Sequence, residues 1–281
     1  MNLKALCLLI TLWTVSATAS ASWFNKTERA PAIKKVDFLA GVFKNFATSN
    51  ASRPYSLQVE KNIVRTGSSS LRFEIRQGDI WKRGRGKEGH GTYRVEVQEE
   101  TYAKFETDYW YEFSIWMPNL LVERDTRLVI GQWHGEADAN QGEFGRNPPL
   151  VQRFRNGRFT IQLRWNENKV QTGDQLKDDS KRIDIFSEQG FPRNTWVDFV
   201  YHVKWSWKGQ GIVQVYRRIL PDQTFQQIAN YRGPVGYNDD LGPYFKFGLY
   251  RDDVPFTDVI YFDNYQRTQE PQKLLFREAL H

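Results

Sequence analysis

Gly242-Pro-Tyr-Phe-Lys-Phe-Gly-Leu-Tyr250 alternates apolar and polar side chains with a period of two residues, which is typical of a β-strand. Successive side chains of a strand point to opposite faces of the sheet. One face of this stretch is apolar and consists of Phe245, Phe247 and Leu249. The other face combines two phenols, an ammonium group and a glycine: Tyr244, Lys246, Gly248 and Tyr250. Such a polar face suits either a solvated sheet surface or a ligand-binding surface, and this stretch alone leaves both open.

Eight further segments show the same period and are separated by clusters of Gly, Pro, Asn and Asp. These predicted strands cover residues 70–76, 92–98, 109–117, 127–134, 158–165, 196–205, 211–217 and 259–266. A helical period is found only at the C-terminal end, in residues 271–280. Sequence patterning therefore predicts an all-β protein, with residues 22–281 forming a single-domain antiparallel β-sandwich (β-jelly roll) in which one sheet provides a concave substrate groove.

Residues 1–21 have the composition of a secretory signal peptide. Lys4 supplies the positive start, residues 6–15 form an apolar core too short to span a bilayer, and Ala19-Ser20-Ala21 is a cleavage site of small residues. The single cysteine, Cys7, lies in this segment, so we expect no disulfide in the mature chain. We expect a secreted or periplasmic monomer without a membrane anchor.

Composition and charge favour a polyanionic partner, either an acidic polysaccharide or nucleic acid, although a modest positive charge also serves general solubility. The 281 residues include 10 Trp, 13 Tyr and 19 Phe, and aromatic faces on a sheet suit sugar rings. The formal net charge of +6 favours a polyanion. Basic residues are dispersed along an exported chain, so nucleic acid is not expected. We expect the basic loop 77–91, with Trp81 and His90, to close over an anionic chain.

Three predicted strands carry polar pairs at i, i+2 spacing, and together they resemble a known family. Arg94-Val-Glu96, Gln132-Trp-His134 and Tyr244-Phe-Lys-Phe-Gly-Leu-Tyr250 resemble the three signature strands of β-jelly-roll alginate lyases, which read Arg-x-Glu, Gln-x-His and Tyr-Phe-Lys-x-Gly-x-Tyr. The flanking segments 64–74, 109–116 and 259–265 look more like the heparin lyase I and glucuronan lyase group. After Tyr250, Arg251-Asp252 replaces the Asn-Gln of the alginate enzymes, which argues against alginate specificity.

The resemblance implies β-elimination on a uronic-acid polymer that is glucuronan-, alginate- or heparin-like. Arg94 and Gln132 would bind the uronate carboxylate, His134 would be the base, and Tyr250 would be the acid. Substrate binding or positioning is expected from a further set: Lys246, Tyr244, His90, Arg164 and Glu96. Where the C5 proton and O4 lie on the same side of the sugar, Tyr250 alone could serve as base and acid.

Three alternatives stay open at the sequence level. Elimination requires no redox cofactor and, with these residues, no catalytic metal, but the acidic segment 135–143 could hold a structural calcium ion. A non-catalytic lectin is the main rival function, because jelly rolls also bind sugars without cleaving them. A glycoside hydrolase would need two carboxylates, for which Glu136 and Asp138 are the candidates.

Overall fold

A computed structural model describes residues 33–35, 46–48, 51, 53–82, 91–118, 125–171 and 180–280. Side chains of 33–35, 46–48, 81, 82 and 91 are not described. The predicted signal peptide, Cys7 and His90 lie outside the described residues. None of the described helices is long and apolar enough to cross a membrane.

The described chain consists almost entirely of strands. In chain order these are β1 (Ile33–Lys35), β2 (Phe46–Thr48), β3 (Leu57–Glu60), β4 (Ser70–Ile75), β5 (Trp81–Lys82), β6 (Gly91–Glu99), β7 (Asp108–Trp116), β8 (Leu128–His134), β9 (Leu150–Arg155), β10 (Arg158–Asn166), β11 (Lys181–Gln189), β12 (Trp196–Lys204), β13 (Ser206–Ile219), β14 (Gln226–Tyr237), β15 (Tyr244–Arg251) and β16 (Asp258–Thr268). Three short 3-10 helices cover Ala139–Gln141, Pro271–Lys273 and Arg277–Leu280.

The strands form two packed layers. The layer called here the site sheet has the order β2-β6-β15-β8-β9-β10-β11, and β5 pairs with β6. The backing sheet has the order β3-β4-β16-β7-β12-β13-β14, and β1 pairs with β16. These pairs are antiparallel, except that two residues at the end of β10 pair in parallel with β14 and join the two sheets. The prediction of an all-β antiparallel sandwich is confirmed.

Alternation places the apolar side chains of both layers in one core. From the backing sheet come Tyr109, Tyr111, Phe113, Ile115, Val197, Phe199, Tyr201 and Val203. From the site sheet come Val95, Val97, Trp133, Phe159, Ile161, Leu163, Phe245 and Phe247. Phe113 of β7 stacks on Phe245 of β15 with ring centroids 5.2 Å apart. Burying side chains of this size stabilises the fold by roughly 2–3 kcal/mol each. The buried rings of β15 therefore keep this strand in its position along the neighbouring strands.

The predicted helix over residues 271–280 is wrong, because this segment contains only the two short 3-10 helices. Leu274 between them is extended, with φ −64° and ψ 144°. The carboxylate of Glu112 accepts the backbone N–H groups of Leu275 at 2.8 Å and Phe276 at 2.9 Å. Those backbone groups are thus held by a side chain of β7, and the segment packs against Val200 on the outer face of the backing sheet.

Candidate active site

Strand register brings the three predicted motifs together on the outer face of the site sheet. β15 lies between β6 and β8. Four cross-strand pairs define the site: Tyr250 with Arg94, Gly248 with Glu96, Lys246 with Gln132, and Tyr244 with His134. Directly paired residues share a face. All seven polar residues predicted on these strands therefore share one surface, while Phe245, Phe247 and Leu249 face the core.

Gln132 and His134 reach this surface because β8 changes its facing at Gly131. Leu128, Ile130 and Trp133 all belong to the core, which simple alternation does not allow. The pairing register shifts at Gly131 on both the β15 side and the β9 side. A Cβ on Gly131 would lie 2.7 Å from Oε1 of Gln152, so a side chain fits there only if the buried Gln152 side chain shifts. This irregularity turns the end of the strand from the core toward the site.

Glycine is also required on β15, at the centre of the site. Gly248 has a φ of +136°, and a Cβ there would lie 2.3 Å from the carbonyl oxygen of Val95. Any side chain would push β15 away from β6 and disturb the pair of Tyr250 with Arg94. The glycine of the Tyr-Phe-Lys-x-Gly-x-Tyr pattern thus has a structural reason in this chain.

The Tyr250 ring lies between two guanidinium groups. Arg94 is 4.0 Å from the ring centroid, and Arg127 is 4.4 Å from it. Asp252 holds Arg127 in this position by an ion pair at 2.9 Å and by accepting the Arg127 backbone N–H at 2.8 Å. The Tyr250 hydroxyl, which can donate or accept a hydrogen bond, therefore lies on the same surface as two cations that can attract an anionic ligand.

Glu96 lies between the other polar groups of the site and is only 2 % exposed. Its carboxylate accepts a hydrogen bond from the Gln132 amide and lies 3.5 Å from the Arg94 guanidinium. An amide nitrogen carries two hydrogens, so Gln132 can donate one to Glu96 and the other to a ligand. The carboxylate therefore orients both groups and partly balances the charges of Arg94 and Lys246.

His134 is placed as a neutral base. Its Nδ1 lies 2.6 Å from the carbonyl oxygen of Gly135, which can only accept, so Nδ1 carries the proton and Nε2 has a free lone pair. Burial lowers the pKa of His134 to about 3, and the charges of Lys246 and Arg94 act in the same direction. The anionic carboxylate of a ligand would oppose those charges and raise the pKa again.

Two further aromatic groups border His134. Tyr244 lies with its ring centroid 6.1 Å from that of His134 and 5.5 Å from that of Tyr102, which meets it edge to face. The Tyr102 hydroxyl donates to Glu136. Burial, and next the contact with Glu136, raise the pKa of Tyr102, so it stays protonated. Glu136, one of the two hydrolase candidates, is thus engaged by a phenol.

Asp138, the second hydrolase candidate, lies in an acidic pocket with Glu143 and Asp239, whose carboxylate oxygens are within 4.8 Å of one another. Lys169 pairs with Asp138 at 2.8 Å, and Arg146 pairs with Glu143 at 2.5 Å. Burial raises the pKa of Asp239 to about 7, and Glu143 and Asp138 add to this. Since Lys169 and Arg146 already supply two positive charges, a calcium ion would have to compete with them, and the residues fit a cation poorly.

The remaining predicted residues are placed as follows. Arg164 lies on β10, on the same face but two strands beyond β8. Arg251, by contrast, is buried away from the site in an ion pair with Asp258 at 2.7 Å. Sequence reasoning missed Arg127, Asp252 and Tyr102. In the sequence, Arg251-Asp252 differs from the alginate lyase pattern without revealing its role, although Asp252 holds Arg127 against the Tyr250 ring.

Comparisons with known proteins agree with this fold. The endo-β-1,4-glucuronan lyase from the fungus Trichoderma reesei superposes with a TM-score of 0.63 at 14 % identity, covering 86 % of this chain and 95 % of that one. The marine PL-14 alginate lyase from Aplysia kurodai gives 0.51 at 15 % identity, covering 81 % and 91 %. A GH131 β-glucanase catalytic domain from Podospora anserina gives 0.53 at 10 % identity, covering 79 % and 84 %.

At these identities the structural likeness shows the fold alone, which lyases here share with a glucanase. A search of curated protein sequences found no match. The sequence model of a family described as polysaccharide lyase, however, matches residues 38–266, well over half of the chain and all three site strands. The predicted resemblance is thereby confirmed, and the chain belongs to the polysaccharide lyase family.

Proposed function

We propose that this lyase cleaves a uronic-acid-containing anionic polysaccharide by β-elimination, leaving an unsaturated uronate at the new chain end. The observation that carries the proposal is the convergence of cations, an amide, a neutral imidazole and a phenol on one face of three adjacent strands. These groups are Arg94, Lys246, Gln132, His134 and Tyr250. Glucuronan-, alginate- and heparin-like chains all carry the required carboxylates. This substrate class is supported by two of the similar structures, which are a glucuronan lyase and an alginate lyase.

The first task of the site is to stabilise negative charge. Removal of the C5 proton places a second negative charge next to the uronate carboxylate. Arg94 and Lys246 are largely buried, so their charges act with little screening by water. Gln132 adds an N–H donor, and Glu96 keeps Arg94 and Gln132 in place. Glu96 is therefore a positioning residue, whereas the other three bind the carboxylate.

The second task is to move two protons. A base takes the C5 proton, the C5–H electron pair forms the C4–C5 double bond, and the C4–O4 bond breaks with its electrons going to O4. Tyr250 then gives a proton to O4, so the leaving sugar departs as a neutral alcohol. Where Tyr250 also acts as the base, Arg94 and Arg127, at 4.0 Å and 4.4 Å from its ring centroid, stabilise negative charge that develops at the site during the reaction.

His134 is the base when the C5 proton lies on the side of the ring opposite O4. Its Nε2 lone pair is available, because Nδ1 donates to Gly135. The lowered pKa makes it a weak base in the free enzyme, and the bound carboxylate makes it a stronger one. We therefore expect His134 to matter most for guluronate- or iduronate-type substrates and Tyr250 for all of them.

The proposed steps use side chains of this chain alone, without a catalytic metal or a redox cofactor. The structural calcium ion predicted for segment 135–143 stays a prediction, although Asp138 and Glu143 are already paired with Lys169 and Arg146. Thermal unfolding with calcium and with a chelator would test it. The composition of residues 1–21 supports a secreted or periplasmic location, which fractionation of expressing cells would test. The expected monomeric state is a separate proposal, which size-exclusion chromatography would test.

The experiment is near-ultraviolet absorbance of the purified protein mixed separately with glucuronan, alginate, heparin and hyaluronan. Elimination produces a conjugated double bond that absorbs there, whereas hydrolysis does not. We expect absorbance to rise with one of these polymers, and to rise equally in excess chelator. New reducing ends without absorbance would indicate a hydrolase, and binding without either signal would indicate a lectin.

A further inference from the structure

The face that carries the active site continues beyond β8 and holds a second group of cations. Arg153 of β9 is paired with Val129 of β8, which is paired with Tyr250. Arg153 thus shares a row with Tyr250, two strand spacings or roughly 10 Å away. Leu150 of β9 is paired with Leu163 of β10 on one side and with Trp133 of β8 on the other. Because β8 and β10 run in the same direction, the next residues along them, Arg164 and His134, lie at the same height in the sheet.

This second group has more positive than negative charge. Arg153 is half-buried, and burial lowers the pKa of its guanidinium, with Arg164, Arg182 and Arg155 adding repulsion. Asp184 is the acid that opposes these charges. Within the described part of the chain, Arg153 makes no ion pair with a carboxylate. A half-buried cation next to other cations is stabilised when an anion binds beside it.

Arg164 is held in a fixed orientation on the other side of this group. Its Nη2 donates to Oε1 of Gln162 at 3.2 Å, and Nε2 of Gln162 donates to Asp184 at 2.8 Å. Gln162 is only 4 % exposed and lies between the levels of Arg153 and Arg164. The two guanidiniums therefore flank a buried amide, which is a built arrangement and not a random surface distribution.

We propose that Arg153 and Arg164 form a second carboxylate site, which holds a uronate further along the same polymer, beyond the reach of a disaccharide, while the reacting uronate lies at Arg94 and Lys246. This inference rests on the proposed function, because a uronan carries a carboxylate on sugar after sugar. The row of cations crosses β6, β15, β9 and β10, so the polymer runs across the strands. Substrates long enough to reach both sites bind more tightly than short ones.

The test measures binding in a Tyr250→Phe background, which prevents turnover. Disaccharides and hexasaccharides of glucuronan, alginate, heparin and hyaluronan are titrated by calorimetry against this variant and against the same variant with Arg153→Gln. We expect Arg153→Gln to weaken hexasaccharide binding by about tenfold and to leave disaccharide binding unchanged, because a charged hydrogen bond is lost only for the long ligand. In the enzyme with Tyr250 intact, KM for the polymer rises by a similar factor, while kcat changes little.

Arg232→Gln is the matched control, since it removes the same charge from an exposed position of β14 in the backing sheet. It should change neither affinity. Equal hexasaccharide affinity with and without Arg153, or an equal loss for both lengths, overturns the second site. Failure of the proposed function looks different: the wild-type enzyme then gives no absorbance with any polymer, while the dependence of binding on ligand length and Arg153 is still measured directly.

Discussion

The two sheets treat buried charge in opposite ways. On the outer face of the backing sheet, Asp198 is fully buried and accepts hydrogen bonds from Arg65, Arg218 and Ser114 at 2.7–3.0 Å. Each charge there has its counter-charge within the protein, and Arg218 also pairs with Glu278 at 2.9 Å.

The outer face of the site sheet carries several cations, among them Arg94, Lys246, Arg153 and Arg164, with Glu96 next to Arg94 and Asp184 acting on Arg153 as opposing acids. The backing sheet thus uses this buried network for stability, whereas the proposed function gives the cations of the site sheet an anionic ligand. Substitutions should therefore separate the two effects.

The largest effect is expected from Tyr250→Phe. Removing the hydroxyl takes away the group proposed to exchange protons with O4, so kcat should fall by about a thousandfold, within the range for general acid–base residues. Absorbance assays would measure turnover, and thermal unfolding would show that the fold is retained.

Tyr216→Phe is the matched control for that substitution. It removes a phenolic hydroxyl from the backing sheet, where the Tyr216 hydroxyl accepts a hydrogen bond from Gln227 at 3.1 Å. Its activity should equal that of the wild type. Retained turnover in Tyr250→Phe would remove Tyr250 from the mechanism.

Asp198→Asn should have the opposite effect: it should lower the free energy of unfolding and leave kcat unchanged. It leaves Arg65 and Arg218 without their shared counter-charge, and breaking a buried ion pair in this way costs about 3 kcal/mol. Urea denaturation would give the free energy of unfolding, and kcat at a permissive temperature should be unchanged.

Asp125→Asn is the control, since its pair with Arg155 is largely exposed, at 66 % and 68 % of the two side chains. Exposed pairs contribute little, so its unfolding curve should overlay that of the wild type. If both substitutions cost the same, the contrast between the sheets does not hold.

The next effect is a pH dependence of stability that comes from His134. In the unfolded chain this imidazole protonates below about pH 6.5, whereas in the folded protein its pKa is lowered to about 3. Unfolding therefore takes up a proton between these values, and stability falls as the pH decreases through that window. Between about pH 7.5 and pH 4.5 the wild type should lose about 2 kcal/mol more than His134→Gln.

Denaturant titrations of both proteins at the two pH values measure this difference. The comparison of wild type with variant removes the contributions of all other titrating groups. Equal losses in the two proteins would show that His134 titrates alike in the folded and unfolded states, and that its proposed neutral form is not specific to the site.

Local alternation was enough to predict the core and most of the site. Phe245, Phe247 and Leu249 were assigned to the core from their spacing alone, and they are buried there. The site residues on β6 and β15 follow from the same spacing, because facing along a regular strand depends only on parity. Their assembly into one surface needed the family resemblance, since spacing does not say which strands are neighbours.

Features that depend on irregularity or on distant pairing were not predictable in this way. The change of facing at Gly131 depends on Gln152 of the next strand, and the contact of Arg127 with Tyr250 joins residues 123 positions apart in the sequence.

Strand β9, which carries Arg153, is different, because the sequence contains a clear signal for it that the predicted strands do not include. Asn156-Gly157 forms its two-residue turn to β10 with φ values of 52° and 68°, and Asn-Gly is a strong hairpin sequence.

The smallest effect is expected where the site sheet does balance a charge, at the ion pair of Arg127 with Asp252. Both side chains are 44 % exposed, so Asp252→Asn should leave the unfolding curve nearly unchanged. It should nevertheless release Arg127 from the Tyr250 ring and lower kcat by about threefold to tenfold, since the phenol loses one of its two neighbouring cations. Steady-state kinetics would measure kcat, and thermal unfolding would measure the stability of the variant. Asp253→Asn, one position further along the chain, serves as the control. A loss in thermal stability without a fall in kcat would mean that Asp252 only fixes the chain after β15, whereas a fall in kcat with intact stability assigns it to positioning Arg127.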